Sequence, residues 1–214
     1  DLHEWQRVLT DVLLPLVEAE QVQPRAFQGT ARVMAMVPAL RADVAWPTMW
    51  TRWLTAVERA VRERQDQLDV VHAALEALHA TLRVQEQHAW WHDTWPTVVR
   101  LCDVHASMTL SDLCFLVDML HMLFVHRPCT DTNVDAMLHA LHECIAHGLH
   151  VADALSLSHL HRLVKRVQES FEFMTHKGAT RAKVLDALQV CASMAYDAAT
   201  MHSKHARMHA MYME

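Results

Sequence analysis

The chain has 214 residues, with 19 Lys and Arg against 25 Asp and Glu, a formal net charge of −6, and 52% hydrophobic against 21% charged residues; this balance argues against a disordered or low-complexity chain and for one that folds. Only 3 Gly and 6 Pro punctuate it, too few for the turns of an all-β sandwich or for a Gly-rich phosphate loop, whereas helices need little of either. No apolar run reaches the roughly 18 residues that cross a bilayer, and the first residues lack the charged and apolar regions of a signal peptide.

In chain order, apolar residues recur at helical spacing with polar or Pro-containing breaks between the runs. The pattern predicts a first helix over Leu2 to Glu18, ended or kinked near Pro15. Helices then follow over Arg25 to Leu40, Trp46 to Arg64, Asp66 to Val84, Trp90 to Val104 and Leu110 to Val125. The remainder reads as Asn133 to Ala146, Ser158 to Thr175, Thr180 to Ala199 and a last stretch through Tyr212, with no strand. Ser111 and Ser158, just ahead of apolar runs, are expected to cap free N–H groups.

These helices repeat in pairs. Val33, Met36 and Leu40 return 42 residues later as Leu75, Leu78 and Leu82, 42 later again as Val117, Leu120 and Phe124, and 47 later as Val164, Val167 and Phe171. The second helices keep the same offsets, most closely where Met137 to Cys144 lies over Val184 to Cys191. The extra residues of the last period are expected in a loop around Gly148 to Ala154. A two-helix unit of this length cannot bury its apolar face alone, so the expectation is all-α, an α-solenoid of about four helical hairpins in one domain. The expected boundaries are a capping helix at 1–22, hairpins at 23–64, 65–106, 107–148 and 149–199, and a C-terminal helix at 200–214.

The run from Ser111 to Phe124, its echo from Ser158 to Phe171 and the L-x-A-L steps at Leu138 and Leu185 resemble the helical-hairpin repeats of organellar RNA-metabolism proteins, the octotricopeptide-like and RAP-associated repeats. The Met, His, Trp and Arg usage is similar to that of helical subunits of protist mitochondrial ribonucleoproteins. The resemblance covers residues 23–199. It implies a protein of the mitochondrial matrix that is a subunit or assembly factor of a ribonucleoprotein, the mitoribosome above all, with protein subunits and rRNA or mRNA as partners.

Charge is unevenly spread, and all four lysines fall after residue 160. The cations Arg162, Lys165, Arg166, Lys177, Arg181 and Lys183, with Lys204 and Arg207, are the candidates for RNA phosphate, because backbone contact needs a dense group of positive charge. Glu169 and Glu172 follow within helical reach and offset part of it. Trp46, Trp50, Trp90 and Trp91 are candidate partner anchors, with core filling as the competing reading. His88, His92, Cys102 and His105 have spacings compatible with a tetrahedral zinc site, set against scattered polar histidines with no metal. Another line, His202, His205 and His209, marks one face of the last helix. Cys102, Cys114, Cys129, Cys144 and Cys191 are odd in number without C-x-x-C spacing, which fits a reducing compartment. No G-x-S-x-G, G-x-x-x-x-G-K or H-E-x-x-H motif occurs, so the expectation is a soluble nonenzyme without cofactor, small-molecule substrate or membrane contact. The alternatives are a scaffold of another organellar complex without RNA contact, and a His/Cys metal-binding helical protein.

Overall fold

The computed structural model describes residues 2–84, 91–104, 108–152, 157–179, 182–194 and 200, and every regular element among these is helical. The chain is all-α. Its packing divides it into two compact units, one up to Arg127 and one from Pro128. That border falls inside the third expected hairpin, 107–148.

The first unit opens with helix α1, Leu2–Arg7, a π-helical turn, Val8–Leu13, and helix α2, Leu14–Glu18. Pro15 explains the middle piece. It has no N–H to donate, and its ring collides with the carbonyl four residues earlier. The ladder widens just ahead of it, and the Leu14 N–H reaches the Leu9 carbonyl, five residues back. Pro15 thus loosens the helical run without stopping it at that point.

Helix α3, Pro24–Met36, starts on a proline whose missing N–H would have been unpaired in any case. It ends four residues before the expected Leu40 because Pro38 drives Val37 out of helical dihedrals, to φ −116° and ψ 76°. A 3-10 turn, Pro38–Ala42, follows. Helix α4, Trp46–Glu63, buries Trp46, Met49, Trp50, Trp53, Val57, Ala60 and Val61, a stripe at three- and four-residue spacing. Helices α5, Leu68–Val84, α6, Trp91–Leu101, and α7, Leu110–Val125, complete the unit.

These helices pack as two rows. In one row α3 lies against α5 and α5 against α7; in the other α2 lies against α4 and α4 against α6. Packing of α4 on α5 and of α6 on α7 joins the rows. The central helix, α5, is apolar on nearly every side, with Val70, Val71, Leu75, Leu78 and Leu82 all buried. Each such side chain contributes about 1.5–3 kcal/mol.

In the second unit, helix α8, Asp131–Val151, helix α9, Leu157–His176, and a helical stretch over residues 182–194 are described. Of the expected loop at Gly148 to Ala154, residues 148–151 are helix and 153–154 lie outside the described residues. The inward stripe of α8, Val134, Met137, Leu141, Cys144 and Ile145, continues in phase to Gly148, which is also buried, so packing carries the helix on.

The caps also differ from expectation. Thr109, not Ser111, caps α7, through a capping box with Asp112; Ser111 and Ser158 lie inside the first turns of α7 and α9. At the other end of α9, Gly178 takes φ +97° while the Gly178 N–H reaches the Thr175 carbonyl and the Ala179 N–H the Met174 carbonyl. This paired arrangement is a Schellman motif, whose left-handed position favours glycine.

Candidate nucleic-acid and partner interface

The basic candidates that the structure describes belong to the second unit. Arg162, Lys165 and Arg166 stand exposed on α9, whose inward face is Leu163, Val167, Phe171 and Met174. Arg166 donates to Glu169 at 2.9 Å. Lys183 is held by carboxylates of α8, donating to Asp135 at 2.9 Å and Asp131 at 3.4 Å, and the Asp135 bond raises its pKa above the ordinary lysine value. Lys177 lies over the Phe173 ring, 5.9 Å from its centroid; burial pulls its pKa down, with Cys129 acting in the opposite sense. Arg162 and Lys165 are therefore the exposed cations of the cluster that have no ion pair among the described residues. Arg181, Lys204 and Arg207 lie outside the described residues.

The tryptophan candidates in the first unit are interior. Trp46 and Trp50 are 0% exposed, their rings stacked 5.9 Å apart at 22°, and the Trp50 Nε1–H donates to the buried Thr94 hydroxyl at 3.0 Å. They occupy α4 positions that face the neighbouring helices, so they pack the core instead of presenting partner anchors. Trp91 begins α6, and Trp90 lies outside the described residues, as do residues 201–214 with the His202, His205 and His209 line. Trp5, which was not singled out from the sequence, is 44% exposed.

The zinc constellation is not brought together where it can be followed. His92 is exposed in the first turn of α6, whereas Cys102 is buried just past its end and donates its thiol to the Val98 carbonyl at 3.3 Å. Ten residues along a helix separate positions by about 15 Å, too far for two ligands of one ion. His88 and His105 lie outside the described residues. Among the described residues no group of three or more His, Cys, Asp or Glu side chains is placed to hold a metal.

Sequence reading missed the polar links between helices. His72 of α5 meets the buried Asp112 of α7 across 40 residues, Glu58 of α4 meets Arg100 of α6 across 42, and Trp50 meets Thr94 across 44. Arg100 grips Glu58 through both carboxylate oxygens, at 2.9 and 2.8 Å, and this bond draws the Glu58 pKa below its ordinary value. Arg52 holds Glu18 in the same two-pronged way, at 2.8 and 2.7 Å, with the same direction of shift. Only the Glu58–Arg100 separation equals the 42-residue offset of the leucines; the others lie at 40, 44 and, for Glu18 with Arg52, 34 residues, so aligning polar residues one period apart finds that pair alone. All of these links fasten helices to one another.

Compared with protein-family models, with curated proteins and with solved structures, the chain matches none.

Proposed function

We propose that this chain is a noncatalytic α-solenoid protein, built of stacked helical hairpins, that serves as a subunit or assembly factor of a mitochondrial ribonucleoprotein, with the mitoribosome as the first assembly to test. The observation that carries the solenoid part is the double row of the first unit, where α3, α5 and α7 on one side and α2, α4 and α6 on the other succeed each other about one repeat apart. Hairpin arrays of this kind act by presenting extended surfaces to other macromolecules.

The ribonucleoprotein part rests on the repeat resemblance and on the exposed cations of α9. Arg162 and Lys165 meet RNA phosphate, while protein contacts supply most of the association, since a net charge of −6 disfavours a grip on naked RNA along the whole chain. Affinity purification of the tagged protein from its own cells, with and without nuclease, tests the reading. Ribosomal proteins and rRNA in the eluate support it; a partner set without RNA-associated proteins overturns it.

A second reading, a protein scaffold without RNA contact, draws on the carboxylates that engage Lys183 and Arg166. It requires the same partners before and after nuclease, and no RNA bound to the purified protein.

A further inference from the structure

The helical run from α1 through the π-helical turn to α2 has two unlike faces. Inward, Leu9, Leu14 and Val17 are buried, and α2 packs against α3 and α4. Outward, Trp5, Val12 and Leu16 are 44%, 51% and 50% exposed, with Val8 half-buried between them. Positions four apart drift around an α-helix of about 3.6 residues per turn. The wider π turn takes more residues per revolution, so Val8, Val12 and Leu16 stay in one line. Val44, 97% exposed, adds to this surface: it follows Asp43, whose carboxylate accepts from the Gln6 amide of α1 at 3.4 Å. A surface helix ordinarily turns polar residues outward, and a contiguous exposed apolar patch marks a contact site.

We propose that this outer face joins two copies of the chain, packed antiparallel about a two-fold axis near residues 9 and 10. Charge selects that occupant. Arg7 and Asp11 flank the apolar line, both exposed and neither with an ion-pair partner among the described residues; Asp11 accepts from the Thr10 hydroxyl at 3.0 Å. In an antiparallel pair, Arg7 of each copy falls beside Asp11 of the other. One surface thus supplies two opposite-charge contacts, the self-complementarity that a two-fold contact requires. The same register sets each Trp5 between Val12 and Leu16 of the other copy, a knob held by residues four apart. Tryptophan and arginine are the side chains that most often anchor such contacts. The apolar area offered is on the order of a few hundred Å² per copy, below the roughly 800 Å² that each partner gives to a standard interface. The dimer is therefore weak, with a dissociation constant in the micromolar range. This inference does not rest on the ribonucleoprotein reading, because it concerns the isolated chain.

Sedimentation velocity of the full chain, purified free of RNA, over about 1 to 200 µM tests it. A monomer–dimer equilibrium within that range is expected. Trp5→Glu, at an exposed position that leaves the helical circular dichroism spectrum unchanged, is expected to weaken the dimer about tenfold or more. Arg7→Glu sets like charges together across the two-fold axis and is expected to weaken it about tenfold, and adding Asp11→Arg to the same chain is expected to restore it. A monomer at every concentration overturns the proposal and leaves the stripe to a different protein. A dimer that survives Trp5→Glu, or that the charge exchange does not restore, overturns it as well.

Discussion

His72 joins α5 to α7 by bringing its Nδ1 within 2.7 Å of an Asp112 carboxylate oxygen, while the other oxygen of that carboxylate accepts from both the N–H and the hydroxyl of Thr109, at 2.8 and 2.7 Å. One buried side chain, 1% exposed, thereby closes the cap of α7 and ties that helix to α5. Asp112→Ala removes the acceptor for all three donors and should cost about 2–3 kcal/mol, the cap and the stranded donors together. Asp112→Asn keeps an acceptor and should cost less. Urea unfolding followed by tryptophan fluorescence measures both; a loss well under about 1 kcal/mol for Asp112→Ala would mean that the carboxylate's hydrogen bonds contribute little.

The tryptophans of α4 should divide by their polar atom. The Trp50 N–H has the Thr94 hydroxyl as partner, whereas the Nε1 atoms of Trp46 and Trp53 are buried with no partner among the described residues. Replacement by Phe removes ring volume in each case, but only at Trp50 does it also delete a buried hydrogen bond. Trp50→Phe should therefore be more destabilising than Trp53→Phe by about 1 kcal/mol. Thermal unfolding of the two variants side by side would show it, and the reverse order would refute the assignment.

The leucines keep a strict 42-residue offset through the first unit, whereas the polar links span 34 to 44 residues, and only the leucines are legible in the sequence. Leu75, Leu78 and Leu82 declare a helix face by spacing alone, and the helices from α4 to α9 appear where such spacing put them, with ends displaced by a few residues. Polar partners carry no periodic mark. His72 is one histidine among 18, and nothing local distinguishes it from His92, which is exposed on α6. Likewise, the cations near α9 look alike in sequence, but Lys183 is answered by Asp131 and Asp135 from another helix. Trp46 and Trp50 stand at spacings that suit a core or an exposed ridge equally, and burial is decided by the facing helices.

At the end of α9, Gly178 should resist substitution. Its φ of +97° lies in the left-handed region, and a Cβ there would meet no atom within 4 Å. The penalty for Gly178→Ala is thus purely one of backbone conformation, about 1 kcal/mol or somewhat more. Gly29, where a Cβ also meets nothing within 4 Å, lies inside α3, and Gly29→Ala should stabilise by up to about 1 kcal/mol. Opposite signs in paired denaturation curves are the expected outcome.

Acid should weaken the first unit through Glu18 and Glu58. Their pKa values are lowered in the fold by the hydrogen bonds from Arg52 and Arg100. A depressed carboxylate contributes its full stabilisation above its unfolded value, near 4.5, and loses it as pH falls through the lower folded value. Because Arg52 and Arg100 are partly exposed, 35% and 47%, screening limits each pair to about 0.5–1 kcal/mol. The double variant Glu18→Gln, Glu58→Gln should be less stable than the parent at pH 7, with the gap closing below about pH 4. A gap that stays constant with pH would assign the loss to packing.

The RNA interface can be tested one cation at a time. Arg162 and Lys165 are exposed and lack ion pairs among the described residues, whereas Lys183 already has two carboxylates within 3.4 Å. If phosphate is met on α9, Arg162→Gln with Lys165→Gln should weaken binding of a single-stranded RNA and lower the salt-dependence slope by about 1–2, roughly one for each phosphate no longer neutralised. Lys183→Gln should leave both nearly unchanged, because its charge is already engaged by Asp131 and Asp135. The three proteins should also have similar melting temperatures, since the α9 cations are exposed, and fluorescence anisotropy across a salt series would separate them. Equal affinity for all three would remove α9 from the RNA interface and favour the scaffold reading, in which these side chains face protein or solvent.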